Sequence, residues 1–548
     1  LAKLNGGQLI EKVFKKEGIK YIFGLPGGHI YPMIESCDEN GIKFISVRHE
    51  MNAAFMAEGF ALTAREVGVC TGTAGPGFTN LVTGIANAYC NQVPLLCVGG
   101  KAKTSEFDRN ELQDFNQMDL VKGMTKHARQ IPDGYRIPEY FGRAIAEALG
   151  DRPGPVYLEV PREKMDFQEY DESKVEFQNT WVVHSKPQGN PKDIEAAAKM
   201  INNAKRPIVI AGSGAYFSKA EKELTEFIEK VDCPIFTRNA GRGMVPDTHP
   251  LAICIGSNKH PVCDAAIKYS DCIIIIGTRT GYTLNRDAFP KGAPIVRIDI
   301  SQAAISDQLD IQVGVVGDAK EVLKQLIPLV ERGNHKEWIG ELKDSQGQMM
   351  GFIANAAVSP QVPIHPIRLV SEIRKFIDKD TILVIDGGDT ASWGNMLLPA
   401  MGPGQLLTIA NGSFGPLGVG VPYAISAALA HPDKKVILLT GDGAFGYGAM
   451  EYDTCLKYGI KITTIILNDS CWGMIKNSEA KKSAKEKEFV GLYLRNEVRY
   501  DEVVKAMGAY GEFVRNPEDI APAIKRALEQ DKPAVVNVLT DVKIGFAF

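Results

Sequence analysis

The sequence predicts an α/β protein made of three doubly wound, parallel-sheet domains. Three observations predict it: short apolar strands that run into glycine-bearing turns, helical stretches between those strands, and two irregular stretches that divide the chain. Strands recurring with helices between them make βαβ units and parallel sheets. The strands are apolar throughout rather than alternating, as in sheets covered on both faces.

Taken in order, Tyr21–Phe23 runs into Gly24-Leu25-Pro26-Gly27-Gly28, and Val67–Thr71 into Gly72-Thr73-Ala74-Gly75-Pro76-Gly77. Pro207–Ala211 precedes Gly212-Ser213-Gly214, and Cys272–Ile276 precedes Gly277-Thr278. Thr381–Ile385 leads to Asp386-Gly387-Gly388, Val436–Thr440 to Gly441-Asp442-Gly443, and Thr463–Leu467 to Asn468-Asp469. The stretch from about Gln168 to Pro191 is polar, and the one from about Asp344 to Pro366 holds Pro360, Pro363 and Pro366. Both read as linkers, giving domains at 1–170, 190–343 and 365–548. Ligands on open parallel sheets bind beyond the carboxyl ends of the strands, where these turns fall.

Composition excludes several classes. With 548 residues, 45% hydrophobic and 23% charged, the chain can bury a core without disulfides. A net charge of −4 gives no basic field for nucleic acid or an anionic membrane. No apolar run reaches the roughly 18 residues of a membrane span, and Leu1–Phe14 lacks the apolar stretch of a signal peptide. The ten cysteines form no CxxC or zinc spacing, which suits free thiols in a reducing cytoplasm. The run Lys481–Glu488 mixes both signs and reads as a solvated face.

The most informative segment is Thr440-Gly441-Asp442-Gly443-Ala444-Phe445-Gly446. It matches GxGxxG, the turn of a nicotinamide-dependent dehydrogenase. However, Asp442 sits where a bare pyrophosphate would approach, and it repels phosphate unless a cation stands between them. The next strand ends in Asn468-Asp469-Ser470-Cys471-Trp472-Gly473, with Asp469 27 positions beyond Asp442. That spacing fits one turn, one helix and one parallel strand, so both carboxylates reach the same sheet edge. One or two carboxylates completed by phosphate oxygens are what Mg²⁺ prefers. The glycines let backbone close on phosphate, and the following helix N-terminus favours its charge. Alone, each turn is an ordinary strand end carrying an Asp.

A Gly-Asp-Gly turn followed by helix, strand and an Asn-Asn-type turn resembles the signature of thiamine diphosphate-dependent enzymes. The resemblance implies metal ligands Asp442, Asp469 and the carbonyl of Cys471. Asp469 departs from the usual Asn and brings extra negative charge to the diphosphate. The resemblance likewise implies cofactor contacts at Gly388, Asp389 and Thr390, at Gly441, Gly443 and Ala444, and at Trp472, Gly473 and Met474. Asn411–Gly418 is similar to the segment that bends the cofactor, with Leu417 as wedge and Gly415 presenting its carbonyl to the pyrimidine amine.

Glu50, in Val47-Arg48-His49-Glu50, matches the family's activating glutamate. The aminopyrimidine must lose an amine proton to deprotonate thiazolium C2, and a carboxylic acid on the ring nitrogen drives that tautomer. Thr71–Leu81 looks like the GPG-containing loop of acetolactate synthases, with Gly75 approaching a partner subunit's cofactor. The family shares its sites between chains, so the resemblance implies a homodimer at minimum and a homotetramer as the expected assembly.

Across all three blocks the resemblance is closest to acetolactate synthases and benzaldehyde lyase-like enzymes. Leu112-Gln113-Asp114, Thr125-Lys126-His127 and Met474 side with the former; His29 sides with the latter. His29 and Gln113 are then expected to orient substrate oxygens and move protons. Ser478 stands where many acetolactate synthases place an acceptor-pocket Trp. Gly277–Gly281 and Val296–Ile300 lie where flavin-contacting segments would be; FAD is compatible but not implied. The expected activity is making or breaking carbon–carbon bonds of 2-oxo acids and 2-hydroxyketones. The alternatives are a hydroxyketone lyase, a non-ligating decarboxylase and a cyclic-dione hydrolase.

Overall fold

The computed structural model describes residues 3–253, 261–281, 284–306, 309–482 and 489–546. Positions 483–488 of the mixed-charge run, and Leu1, lie outside the described residues. The chain packs as two compact units.

The first unit comprises 1–184 with Val421–His431 and Gly448–Ile460. Its sheet has six strands: β1 (Tyr21–Gly24), β2 (Lys43–Ser46), β3 (Gly68–Gly72), β4 (Leu95–Lys101), β5 (His127–Gln130) and β6 (Pro155–Pro161). They lie in the order β2-β1-β3-β4-β6-β5, every pair parallel. Val98, Val156 and Leu158 are fully buried in the core, as their apolar runs require. Two helices, Glu50–Ala64 and Pro76–Asn91, carry the turns that matter below. They pack closely because a Cβ on Gly84 would meet the Ala54 Cβ at 2.3 Å. Lys3–Leu4 pairs antiparallel with Tyr170–Asp171.

The second unit holds two parallel sheets. The central one contains β7 (Pro207–Ala211), β8 (Ile235–Thr237), β9 (Cys272–Ile276), β10 (Ile295–Asp299) and β11 (Val313–Val316) in the order β8-β7-β9-β10-β11. The last contains β12 (Thr381–Ile385), β13 (Leu406–Thr408), β14 (Lys435–Gly441), β15 (Thr463–Asn468), β16 (Tyr510–Val514) and β17 (Ala534–Leu539) in the order β13-β12-β14-β15-β17-β16.

Three parallel sheets match the predicted fold class. One linker needs correction: a helix, Lys336–Ala357, runs deep into the stretch read as irregular from Asp344. The prolines at 360, 363 and 366 break the chain only after that helix ends, and Gly347 and Gly351 inside it weaken the helical signal without stopping it.

Candidate active site

The expected site residues fall into two groups, one in each unit. In the second unit, β14 and β15 are paired with Gly441 opposite Leu467. Asp442 and Asp469 therefore leave neighbouring strands at the same edge. Asp442 is buried and begins the helix Asp442–Gly448. Its Oδ1 accepts from the Gly443 N–H at 2.8 Å. Burial, and next the charge of Asp469, push its carboxyl up to about 7. Asp469 accepts from the Cys471 N–H at 3.1 Å. Burial raises it to about 6, Asp389 adds to that, and Lys476 opposes it. A buried carboxylate raised by a half-buried neighbour, itself raised by Asp389, calls for a cation. Among the described residues no group of three His, Cys, Asp or Glu side chains could hold a metal ion. Backbone carbonyl and phosphate oxygens would have to complete the shell, which is how Mg²⁺ is normally bound. The residues present fit that ion and a diphosphate.

The glycines around this edge are close-approach positions. A Cβ on Gly443 would strike the Trp472 ring at 2.5 Å, and one on Gly473 would meet Asp469 Oδ2 at 2.7 Å. A Cβ on Gly388 would lie 2.8 Å from that of Met474, and one on Gly441 would lie 3.2 Å from Thr390 Oγ1. Gly388, Asp389, Thr390, Gly441, Asp442, Gly443, Asp469, Trp472, Gly473 and Met474 thus converge, with Ala444 and Cys471 buried beside them. Asp389 is a third carboxylate here; Asn477 donates to it at 2.5 Å and the Phe546 N–H at 3.3 Å. Met474 and Ser478 are exposed on the following helix.

Gly415 has φ +65 with open space where a Cβ would stand, and Leu417 is half-buried. Their loop is held by Asp386, which sequence reasoning passed over. Its buried carboxylate accepts from the N–H groups of Gly387 (2.6 Å), Gly418 (3.0 Å) and Gly420 (2.8 Å). Only a strand-end Asp before two glycines hinted at this role. Asn468 is equally structural: it is fully buried and donates to Asn537 at 3.0 Å.

In the first unit, Glu50 opens its helix behind His49, whose Nδ1 accepts from the Met51 N–H at 3.1 Å. Glu50 is 6% exposed, and Asn80 donates to its Oε2 at 2.9 Å. A Cβ on Gly77 would lie 3.4 Å from Glu50 Oε1, so the GPG loop abuts the carboxylate. Glu451 braces the approach, accepting from the Arg48 N–H at 2.9 Å and from Asn52 at 2.8 Å. His29 is buried, with Nδ1 2.9 Å from Thr73 Oγ1. Burial first, then Arg162, lower its pKa, so the ring is neutral near pH 7 and keeps Nε2 for another partner. Gln113 has φ +64 and is half-buried; its backbone carbonyl packs on Gly75, 2.9 Å from where a Cβ there would be. Glu451 carries no motif that sequence reasoning could catch, and Asn80, though inside the GPG-containing segment, has nothing local that ties it to Glu50.

Comparisons with known proteins show the family. Residues 4–120 match the thiamine pyrophosphate enzyme N-terminal TPP binding domain, 194–326 the central domain and 386–538 the C-terminal TPP binding domain. The chain is 31% identical over 544 residues to a probable acetolactate synthase of Mycobacterium bovis, covering 99% of this chain and 97% of that one. It is 30% identical over 563 residues to a probable acetolactate synthase large subunit of Methanococcus aeolicus, covering 98% and 92%. It is 26% identical over 559 residues to 2-hydroxyacyl-CoA lyase 1 of Mus musculus, covering 98% and 94%. No helix among the described residues is long and apolar enough to cross a membrane. The chain belongs to the thiamine diphosphate-dependent enzymes, as one of the acetolactate synthase type that makes or breaks carbon–carbon bonds.

Proposed function

We propose that this enzyme binds thiamine diphosphate through Mg²⁺ and joins a 2-oxo acid to a second carbonyl compound. The observation that carries this is the Asp442–Asp469 pair on adjacent strand ends, the first buried and the second half-buried, an arrangement that needs a cation and an anion beyond it. In this reading Asp442, Asp469 and the Cys471 carbonyl hold the metal. The glycine turns at 388, 441, 443 and 473 admit the diphosphate, and Gly415 and Leu417 shape the bend between its rings. The cofactor, when bound, supplies an electron sink for the carbon–carbon bond that breaks. Glu50, buried and held by Asn80, keeps a proton on the pyrimidine ring nitrogen and so promotes loss of the amine proton. His29, neutral and fixed by Thr73, presents Nε2 to the substrate oxygen, and Gln113 orients the acceptor.

The domains proposed are 1–170 for the pyrimidine, 190–343 as the central scaffold and 365–548 for the diphosphate. The working unit is a homodimer, assembled as a homotetramer, in the cytoplasm, where the free cysteines stay reduced. Ligation of two carbonyl compounds leaves no net electrons to transfer, so FAD at Gly277–Gly281 would be structural. A second reading, cleavage of a 2-hydroxyketone or 2-hydroxyacyl substrate, is favoured by His29, which matches benzaldehyde lyase-like enzymes. Similarity to the mouse lyase supports it too.

Product analysis separates the two. Purified enzyme with Mg²⁺ and cofactor, given pyruvate, should form acetolactate or acetoin; free acetaldehyde alone, or cleavage of acetoin without synthesis, would overturn ligation. Glu50→Gln should lower kcat about 10²- to 10⁴-fold while the cofactor stays bound, as for loss of a general acid–base group.

A further inference from the structure

We infer that Gln117 is a positioning residue whose single carboxamide sets the Gly75 turn and the end of β4 together, and through them Glu50 and His29. This rests on the roles proposed for those two residues.

Gln117 is fully buried at the first position of the short helix Gln117–Val121. Its Oε1 accepts from the Gly75 N–H at 2.8 Å. Its Nε2 faces the Gly100 carbonyl at 3.0 Å, the Tyr157 hydroxyl at 2.7 Å and Glu159 Oε1 at 3.0 Å. Gly75 has φ +62 and starts the helix Pro76–Asn91 with no side-chain cap. Its own amide is therefore the point at which a side chain holds the turn. Two residues on, Gly77 abuts the Glu50 carboxylate. On the other side, Gly100 lies against His29: a Cβ on Gly100 would meet the His29 Cβ at 2.4 Å. The carboxamide thus ties together the backbone under both side chains.

The chemistry demands an amide. An acceptor is needed for Gly75 and a donor for Gly100 and Glu159, within one short group. A hydrocarbon at 117 supplies neither, and a carboxylate supplies no donor. Glu159 is the natural counterpart. It is 1% exposed, and burial pushes it up to about 7 against the pull of Lys101. Lys101 is itself engaged by Asp114 at 2.7 Å. Gln117→Glu alone sets two acids against each other, whereas exchanging acid and amide between 117 and 159 keeps the acceptor for Gly75 and restores the bond between the two side chains. The swap still leaves the Gly100 carbonyl without its donor, so rescue is expected for the Gly75 turn and Glu50, not for the His29 side.

The test uses full-length holoenzyme with Gln117→Met, Gln117→Glu, and Gln117→Glu combined with Glu159→Gln. Two quantities are read: hydrogen exchange of the segment 72–81, and the rate at which bound cofactor exchanges its C2 proton. Both single variants should exchange segment 72–81 faster than the parent and lose about 10- to 100-fold in C2 exchange, the scale of a small misplacement. The double variant should return both readings to within about threefold of the parent, a rescue that general loosening of the fold would not give. Parent-like values in Gln117→Met, or no rescue by the folded double variant, overturn the inference. If Gln117→Met does not fold, the other two variants decide. Parent-like C2 exchange in Glu50→Gln would instead sink the role of Glu50, while segment 72–81 still judges Gln117.

Discussion

The first and third sheets are wound alike, β2-β1-β3-β4-β6-β5 and β13-β12-β14-β15-β17-β16, yet their strand-end turns carry opposite chemistry. After β1 comes Gly27-Gly28-His29; after the equivalent β12 comes Gly387-Gly388-Asp389. After β3 comes Gly72-Thr73-Ala74-Gly75; after β14, Gly441-Asp442-Gly443. The first sheet's turns hold a neutral imidazole, a hydroxyl and glycine backbone, while the third sheet's turns hold carboxylates, Asp469 raising Asp442 and Asp389 raising Asp469. One topology supplies glycine turns at the same places, and the residues beside the glycines decide what they take up.

Several substitutions would break or sharpen this contrast. The largest effect is expected at Asp442→Ala, which should weaken cofactor retention by more than the about 10- to 100-fold that outer-sphere changes around metals cost. Equilibrium dialysis with Mg²⁺ and cofactor reads it, and retention like the parent's would end the acidic side of the comparison. Next is Asp469→Asn. It removes the charge that raises Asp442, so cofactor-free protein should melt higher, by about 1 °C for each kcal/mol of relieved repulsion in a body this large. Metal should then bind more weakly, because the site loses a charge. On the neutral side, Thr73→Val deprives His29 of its Nδ1 partner and should cost about tenfold in kcat, with little change in cofactor affinity.

The smallest effect concerns Glu58, fully buried on the helix that Glu50 begins. It accepts from Asn87 at 2.7 Å and Asn91 at 2.8 Å, and burial pushes it up to about 7. Its folded pKa lies above the unfolded value of 4.5, so the folded state holds the proton longer. That stability is present below about pH 4.5 and is lost as pH rises through 7. Glu58→Gln, with Asn87 Oδ1 and Asn91 Oδ1 free to accept, should flatten this slope in melts between pH 5 and 8. A slope identical to the parent's would show that Glu58 is ionised throughout.

Much of this was legible in the sequence. Runs such as Cys272–Ile276 and Thr381–Ile385 are strands with those bounds, because unbroken apolar segments ending in glycine have few other fates. Asp442 and Asp469 do leave adjacent strand ends, as their spacing suggests, although two helices, Asp442–Gly448 and Glu451–Tyr458, fill the connection where the spacing suggested one. The helix ending at Ala357 was missed, since prolines just beyond it drew the boundary too early. The polar supports escaped for another reason. Gln117, Asp386 and Glu451 act on partners distant in the chain, and a lone Gln, Asp or Glu carries no local pattern.

The first unit is not contiguous in the chain, since Val421–His431 and Gly448–Ile460 pack within it. A gene fragment stopping at His184 would therefore encode an incomplete body. It would lack Tyr423, whose hydroxyl receives Asn87 at 3.1 Å, and Glu451, which receives Arg48 and Asn52 just beside Glu50. Excision would open buried apolar surface and strip the helix that Glu50 begins of its brace at once, so this body cannot be transplanted as a single contiguous cassette.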